Sequence, residues 1–134
     1  MTTEERDTIV KYRLERANET LLEAKDMICM KHWHGAANRL YYACYYAVSA
    51  LLIKNGYSAR THNGVLTLLG KHFVLKGIVS KEQNDLYTTF LELRQGGDYG
   101  DWVVITEDMV APLIEPAKKF IQEIEKLINN PINP

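Results

Sequence analysis

Arg94-Gln-Gly-Gly-Asp-Tyr-Gly-Asp101 sets a guanidinium, a carboxylate (Asp98) and a phenol (Tyr99) within six residues of one another. Arginine recognises phosphate in a bidentate way, and glycines let backbone amides approach a ligand closely. The same residues also fit a helix end, with a basic last turn, glycine caps and an Arg94–Asp98 ion pair. Arg60-Thr61-His62-Asn63-Gly64 sets a base, a hydroxyl and an imidazole at an expected helix start. Unpaired amides there favour anions, although ordinary capping by Thr61 accounts for the pattern equally well.

A third group is Tyr41, Tyr42, Tyr45 and Tyr46. On a helix, 41 and 45 share a face with Leu52, and 42 and 46 share the neighbouring face with Ser49 and Ile53. Aromatics at this spacing are mostly packing, but buried hydroxyls need partners, and Asn38, Arg39, His62 and Tyr99 are candidates. Cys29, His32 and His34 lie close in sequence, yet 34 points away from the face shared by 29 and 32. No fourth ligand has zinc-like spacing, so neither a metal nor another cofactor is expected. HExxH, nucleophile-elbow, Walker and GxGxxG patterns are all missing.

These groups sit in an unusual charge distribution. Between Met27 and Lys81 there is no Asp or Glu, whereas Lys31, Arg39, Lys54, Arg60, Lys71, Lys76, Lys81 and all four histidines fall there. The whole chain carries a formal charge of −1, so the flanks are acidic and the middle can present a cationic surface to an anion. A buried helix inside the segment excludes charge of either sign and explains part of the pattern.

The elements that must position these residues are helical. Val10, Leu14, Ala17, Leu21, Ala24 and Ile28 form one face of a first helix, about 4–30. Gly35 marks a break or tight junction. A second helix, about 36–55, ends at Gly56. Thr61 caps a third, about 63–76, which ends at Gly77. Ser80 and Gln83 resemble a capping box for a fourth, ending near Gln95, because Gly96 to Asp101 disfavours helix. Thr106, Glu107 and Asp108 open a last helix to about Leu127, with Pro116 marking either a kink or a later start. Trp102–Ile105 alone looks strand-like and is too short to matter. The fold class is all-α, an antiparallel bundle of four or five helices in one domain, 1–134, ordered over about 4–128 with a frayed tail.

The polar, acidic start is no secretory signal. The longest uncharged run, Leu40–Ile53, would span about 21 Å as a helix, short of the ~30 Å hydrocarbon core. Cys29 and Cys44 lack CxxC spacing and read as free thiols in a reducing cytoplasm.

The chain resembles the HEPN family of small helical domains. The resemblance runs from about Tyr12 to Glu125. It is carried by Tyr12-Arg-Leu-Glu-Arg-Ala, Ala37-Asn-Arg-Leu-Tyr-Tyr-Ala-Cys-Tyr-Tyr-Ala-Val, Ala50-Leu-Leu, Thr61-His-Asn-Gly and Leu93-Arg-Gln-Gly-Gly-Asp-Tyr-Gly-Asp. It looks like the branch often encoded beside a minimal nucleotidyltransferase. The resemblance implies a dimeric helical bundle that works on RNA or nucleotides, in catalytic members as a metal-independent ribonuclease toxin restrained by its partner. Those members carry Arg, four to six residues, then His, and two copies meet at a dimer cleft. Arg94 matches the arginine, but Tyr99, Gly100 and Asp101 stand where the histidine belongs.

Histidine suits both proton transfers of metal-free RNA cleavage, so its loss favours binding over cleavage. The expected site comprises Arg94, Asp98 and Tyr99 as catalytic groups, with Arg39, Arg60 and His62 binding the ligand. Asp98 or His62 would move the proton. The competing expectation is a non-catalytic module that binds a nucleotidyltransferase and offers Tyr99 for modification. A helical protein with no ligand is a third reading that composition leaves open.

Overall fold

A computed structural model describes residues 1–99 and 104–130, apart from the side chains of 97–99. Helix α1 covers Thr3–Cys29 and α2 covers Trp33–Lys54. Thr2 opens α1 through a capping box: its Oγ1 accepts from the Glu5 amide at 3.1 Å, and Glu5 reaches back to the Thr2 amide. The two helices are antiparallel. Pairing runs from Arg13 with Ser49 through Arg16 with Tyr46 to Glu23 with Arg39, descending one helix as it climbs the other. Lys31, with φ of 62°, turns the chain between them. Gly35 lies inside α2, not in the break, and it is the tight junction: a Cβ there would meet Met27 Sδ at 2.5 Å.

Helix α2 is the axis of the bundle, packing against α1, α3 (His62–Leu69), α4 (Lys81–Tyr99), α5 (Glu107–Val110) and α6 (Ile114–Asn129). Its nearly continuous burial from Leu40 to Leu52 follows from that position. α6 contributes Ala117, Phe120, Ile121, Ile124 and Ile128, all buried on one amphipathic face. Tyr87 of α4 stacks on Phe120 with ring centres 5.9 Å apart. Among the described residues there is no strand, and no helix is long and apolar enough to cross a membrane.

Three boundaries differ from the sequence expectation. α3 gives way at Gly70 to a π-helical segment, Gly70–Val74, before Gly77 turns the chain at φ 74°. The fourth helix does not stop at Gln95 but continues through Gly96 and Gly97 to Tyr99. Two glycines cost a helix about 1 kcal/mol each, a weak preference against the burial of Tyr87, Phe90 and Leu91 that holds α4 down. The last helix is split by a 3₁₀ turn, Ala111–Leu113, that houses Pro112. Pro116 falls in the first turn of α6, where no amide donor is needed. The expected capping box of α4 is present, Gln83 N–H to Ser80 Oγ at 3.1 Å and Ser80 N–H to Gln83 Oε1 at 3.2 Å.

The start of α3 positions His62. Thr61 Oγ1 accepts from the Gly64 amide at 2.9 Å. A Cβ on Gly64 would stand 2.9 Å from that oxygen and 3.0 Å from Ala59 Cβ, so a larger residue there would make the Thr61 side chain or Ala59 shift. Thr61→Ala is expected to lower stability by about 1 kcal/mol and Thr61→Ser to leave it nearly unchanged, as read by urea unfolding.

Candidate functional site

Three helices meet around one phenol. Tyr41 of α2 is fully buried, and its hydroxyl lies 2.6 Å from His62 Nδ1, at the start of α3. The Tyr87 hydroxyl of α4 donates to the Tyr41 oxygen over a long 3.5 Å. Seven residues on, along the same face of α4, the half-buried Arg94 guanidinium sits 5.8 Å from the Tyr41 ring centre and 5.4 Å from that of Tyr42. Tyr45 and Tyr42 close the cluster, their ring centres 5.1 and 5.8 Å from that of His62.

Burial decides the protonation states. Loss of solvent pushes the Tyr41 phenol up to about 12, against the opposing influence of the Tyr87 hydrogen bond and the Arg94 charge. Burial likewise raises Tyr87 well above the ordinary phenol range. Both therefore stay protonated near neutral pH. His62 moves the other way: burial first, and the Arg94 charge second, hold its imidazole below the usual histidine value. The result is a neutral imidazole held by a phenol and flanked by a permanent cation. Such a cation beside an aromatic surface can take phosphate and stack a base.

The expected site residues separate accordingly. Arg94 and His62 come together from different helices. Arg60 is exposed, just before the Thr61 cap. Arg39 faces α1, where its Nε lies 3.9 Å from Glu23. Of Asp98 and Tyr99 only the helical backbone is described, with Asp98 one turn beyond Arg94. The Gly64 amide that an anion would use is already taken by Thr61. The Arg94–Tyr99 segment is thus a helix and not a mobile turn. Among the described residues no group of three or more His, Cys, Asp or Glu could hold a metal ion. Cys29 is exposed; Cys44 is buried, which raises its thiol and keeps it inert.

Sequence reasoning missed Tyr87. Its signal was its spacing of seven from Arg94, which puts both on one face of α4.

Tyr41→Phe removes the partner of His62 and of Tyr87, and is expected to cost about 1–3 kcal/mol by urea unfolding. Because folded His62 titrates below the unfolded value of about 6.5, the unfolded chain binds more protons as pH falls. Stability from this group is complete above that value and is lost as pH drops through the folded one. His72 is lowered in the same sense by burial and by Lys71 and Lys76. The difference between the parent and His62→Gln therefore isolates His62, and His62→Gln should show the shallower acid slope.

The chain is similar to known proteins over most of its length. The model of the HEPN domain matches residues 10–127. A "UPF0332 protein" of Thermotoga maritima is 41% identical over 94% of this chain and 96% of its own length. A Methanocaldococcus jannaschii protein named "Putative toxin MJ0605" is 30% identical over 86% of this chain and 85% of its own. The crystal structure of TT1696 from Thermus thermophilus superposes with a TM-score of 0.75 over 87% of this chain and 96% of that one. At 18% identity, it speaks for the fold alone.

Proposed function

The chain belongs to the HEPN domain family, and on that premise we propose that it is a toxin-type member that binds RNA at Arg94 and His62 and cleaves it without a metal ion. The observation that carries the proposal is the meeting of Arg94 with His62 across Tyr41, Tyr42 and Tyr45. His62 supplies from α3 the imidazole that is missing four to six residues after Arg94. The relatives named as toxins are in keeping with this reading.

In the proposed reaction Arg94 holds the scissile phosphate and neutralises the charge that grows on its oxygens. His62, neutral at physiological pH, takes the proton of the 2′-hydroxyl. The 2′-oxygen then bonds to phosphorus as the bond to the 5′-oxygen breaks, leaving a 2′,3′-cyclic phosphate, and the departing 5′-oxygen becomes a hydroxyl by taking a proton from the His62 imidazolium or from water. The Tyr41 hydroxyl can donate to Nδ1 or accept from it, so it holds the ring in either protonation state. Asp98, one turn beyond Arg94, is the alternative proton carrier. In this proposal the protein works as a homodimer, and a nucleotidyltransferase-type partner restrains it by modifying Tyr99. Mass spectrometry after co-expression with such a partner is expected to find the adduct on Tyr99; an unmodified Tyr99 and no complex would remove that part.

For the site itself, Arg94→Gln is expected to weaken binding of a non-cleavable 2′-O-methyl RNA by about tenfold and to abolish cleavage in EDTA. A phosphate beside His62 raises its pKa again, so RNA affinity should increase as pH falls from about 7.5 to about 6. His62→Gln should lose that increase. An Arg94→Gln protein that binds and degrades RNA like the parent contradicts the proposal.

A further inference from the structure

A cavity of about 80 Å³ adjoins the Arg94–His62 cluster through Tyr45. Its polar lining comes from Arg13 of α1, Tyr45 and Ser49 of α2 and Ser58 of the following loop, over an apolar base that includes Leu52 and Val65. It is larger than the roughly 10–15 Å³ that one water needs. No carboxylate lines it. Resting on the RNA reading above, we propose that this cavity is a second phosphate subsite, which takes the phosphodiester next to the one held at Arg94.

Three observations carry the proposal. The first is Ser49, a hydroxyl only 7% exposed within the apolar run Ala47–Leu52. It accepts from Arg13 Nη1 at 2.9 Å, which fixes the guanidinium at the cavity while leaving further N–H donors of its fork for an oxyanion. The second is charge. Arg16 pairs with Glu19 at 3.0 Å and Arg39 with Glu23 at 3.9 Å, but among the described residues Arg13 has no ion-pair partner. The cation that lines the cavity is therefore not neutralised by a carboxylate among the described residues. The third is Tyr45. The ring that lines this cavity is also 5.1 Å from the His62 ring. An oxyanion beside Arg13 and one beside Arg94 would then be separated by the tyrosine strip, on which an intervening base can stack.

The test uses full-length protein and 2′-O-methyl oligouridylates of one to four nucleotides, with affinity measured by calorimetry at several salt concentrations. For the parent, affinity is expected to step up once a second phosphate is present. Arg13→Gln should remove that step, about tenfold, leave the single-phosphate ligand unchanged, and reduce the salt slope by about 0.7. Ser49→Ala, which frees the guanidinium but keeps its charge, should lose part of the step. Equal affinity of Arg13→Gln and parent at every length, or an equal loss at every length, overturns the subsite. Failure of every oligonucleotide to bind the parent contradicts the RNA reading itself. Inorganic phosphate then decides the cavity alone: shifts of the Tyr45 ring resonances that Arg13→Gln abolishes uphold an oxyanion site, and their absence in the parent overturns it.

Discussion

The bond between the Tyr41 hydroxyl and His62 Nδ1, 2.6 Å long, ties the most buried helix of the bundle to the residue best suited to proton transfer. Each partner needs the other. A phenol with no solvent requires a hydrogen-bonding group, and a histidine at a short helix start requires something rigid to orient it. α2 is that rigid element, since α1, α4 and α6 all pack on it. Arg94 joins because α4 crosses the same face of α2, bringing its guanidinium over two tyrosine rings.

Electrostatics then follow from burial. The dense aromatic packing that makes α2 a core helix also deprives His62 of water, and the neighbouring guanidinium adds repulsion to any second positive charge. The imidazole is held toward its neutral form in the free protein, and an anion at Arg94 would reverse the second influence but not the first. Folding and such an anion would therefore pull the titration of one residue in opposite directions.

Much of this was legible in the sequence. The helical periodicity of α1, the Thr61 cap and the Ser80–Gln83 box were readable because each depends on local spacing. His62 was readable as a partner for a buried tyrosine, since few polar groups were available. The end of α4 was not, because Gly96 and Gly97 argue locally for a turn, while packing of Tyr87, Phe90 and Leu91 decides the matter from a distance. The pairing of Arg39 with Glu23 was not legible either, because it depends on the antiparallel register of α1 and α2. Arg13 and Ser49 were invisible for the same reason: their meeting is a product of that register, which no short motif encodes.

The central claim is that Arg94 and His62 act on one phosphate. A double-mutant cycle on RNA binding at about pH 6, with Arg94→Gln, His62→Gln and the combined variant, tests it most directly. Residues that share a ligand group should be coupled by about 0.5–3 kcal/mol, with the double variant losing less than the two single losses combined. Strict additivity, or no loss from either substitution, would contradict it.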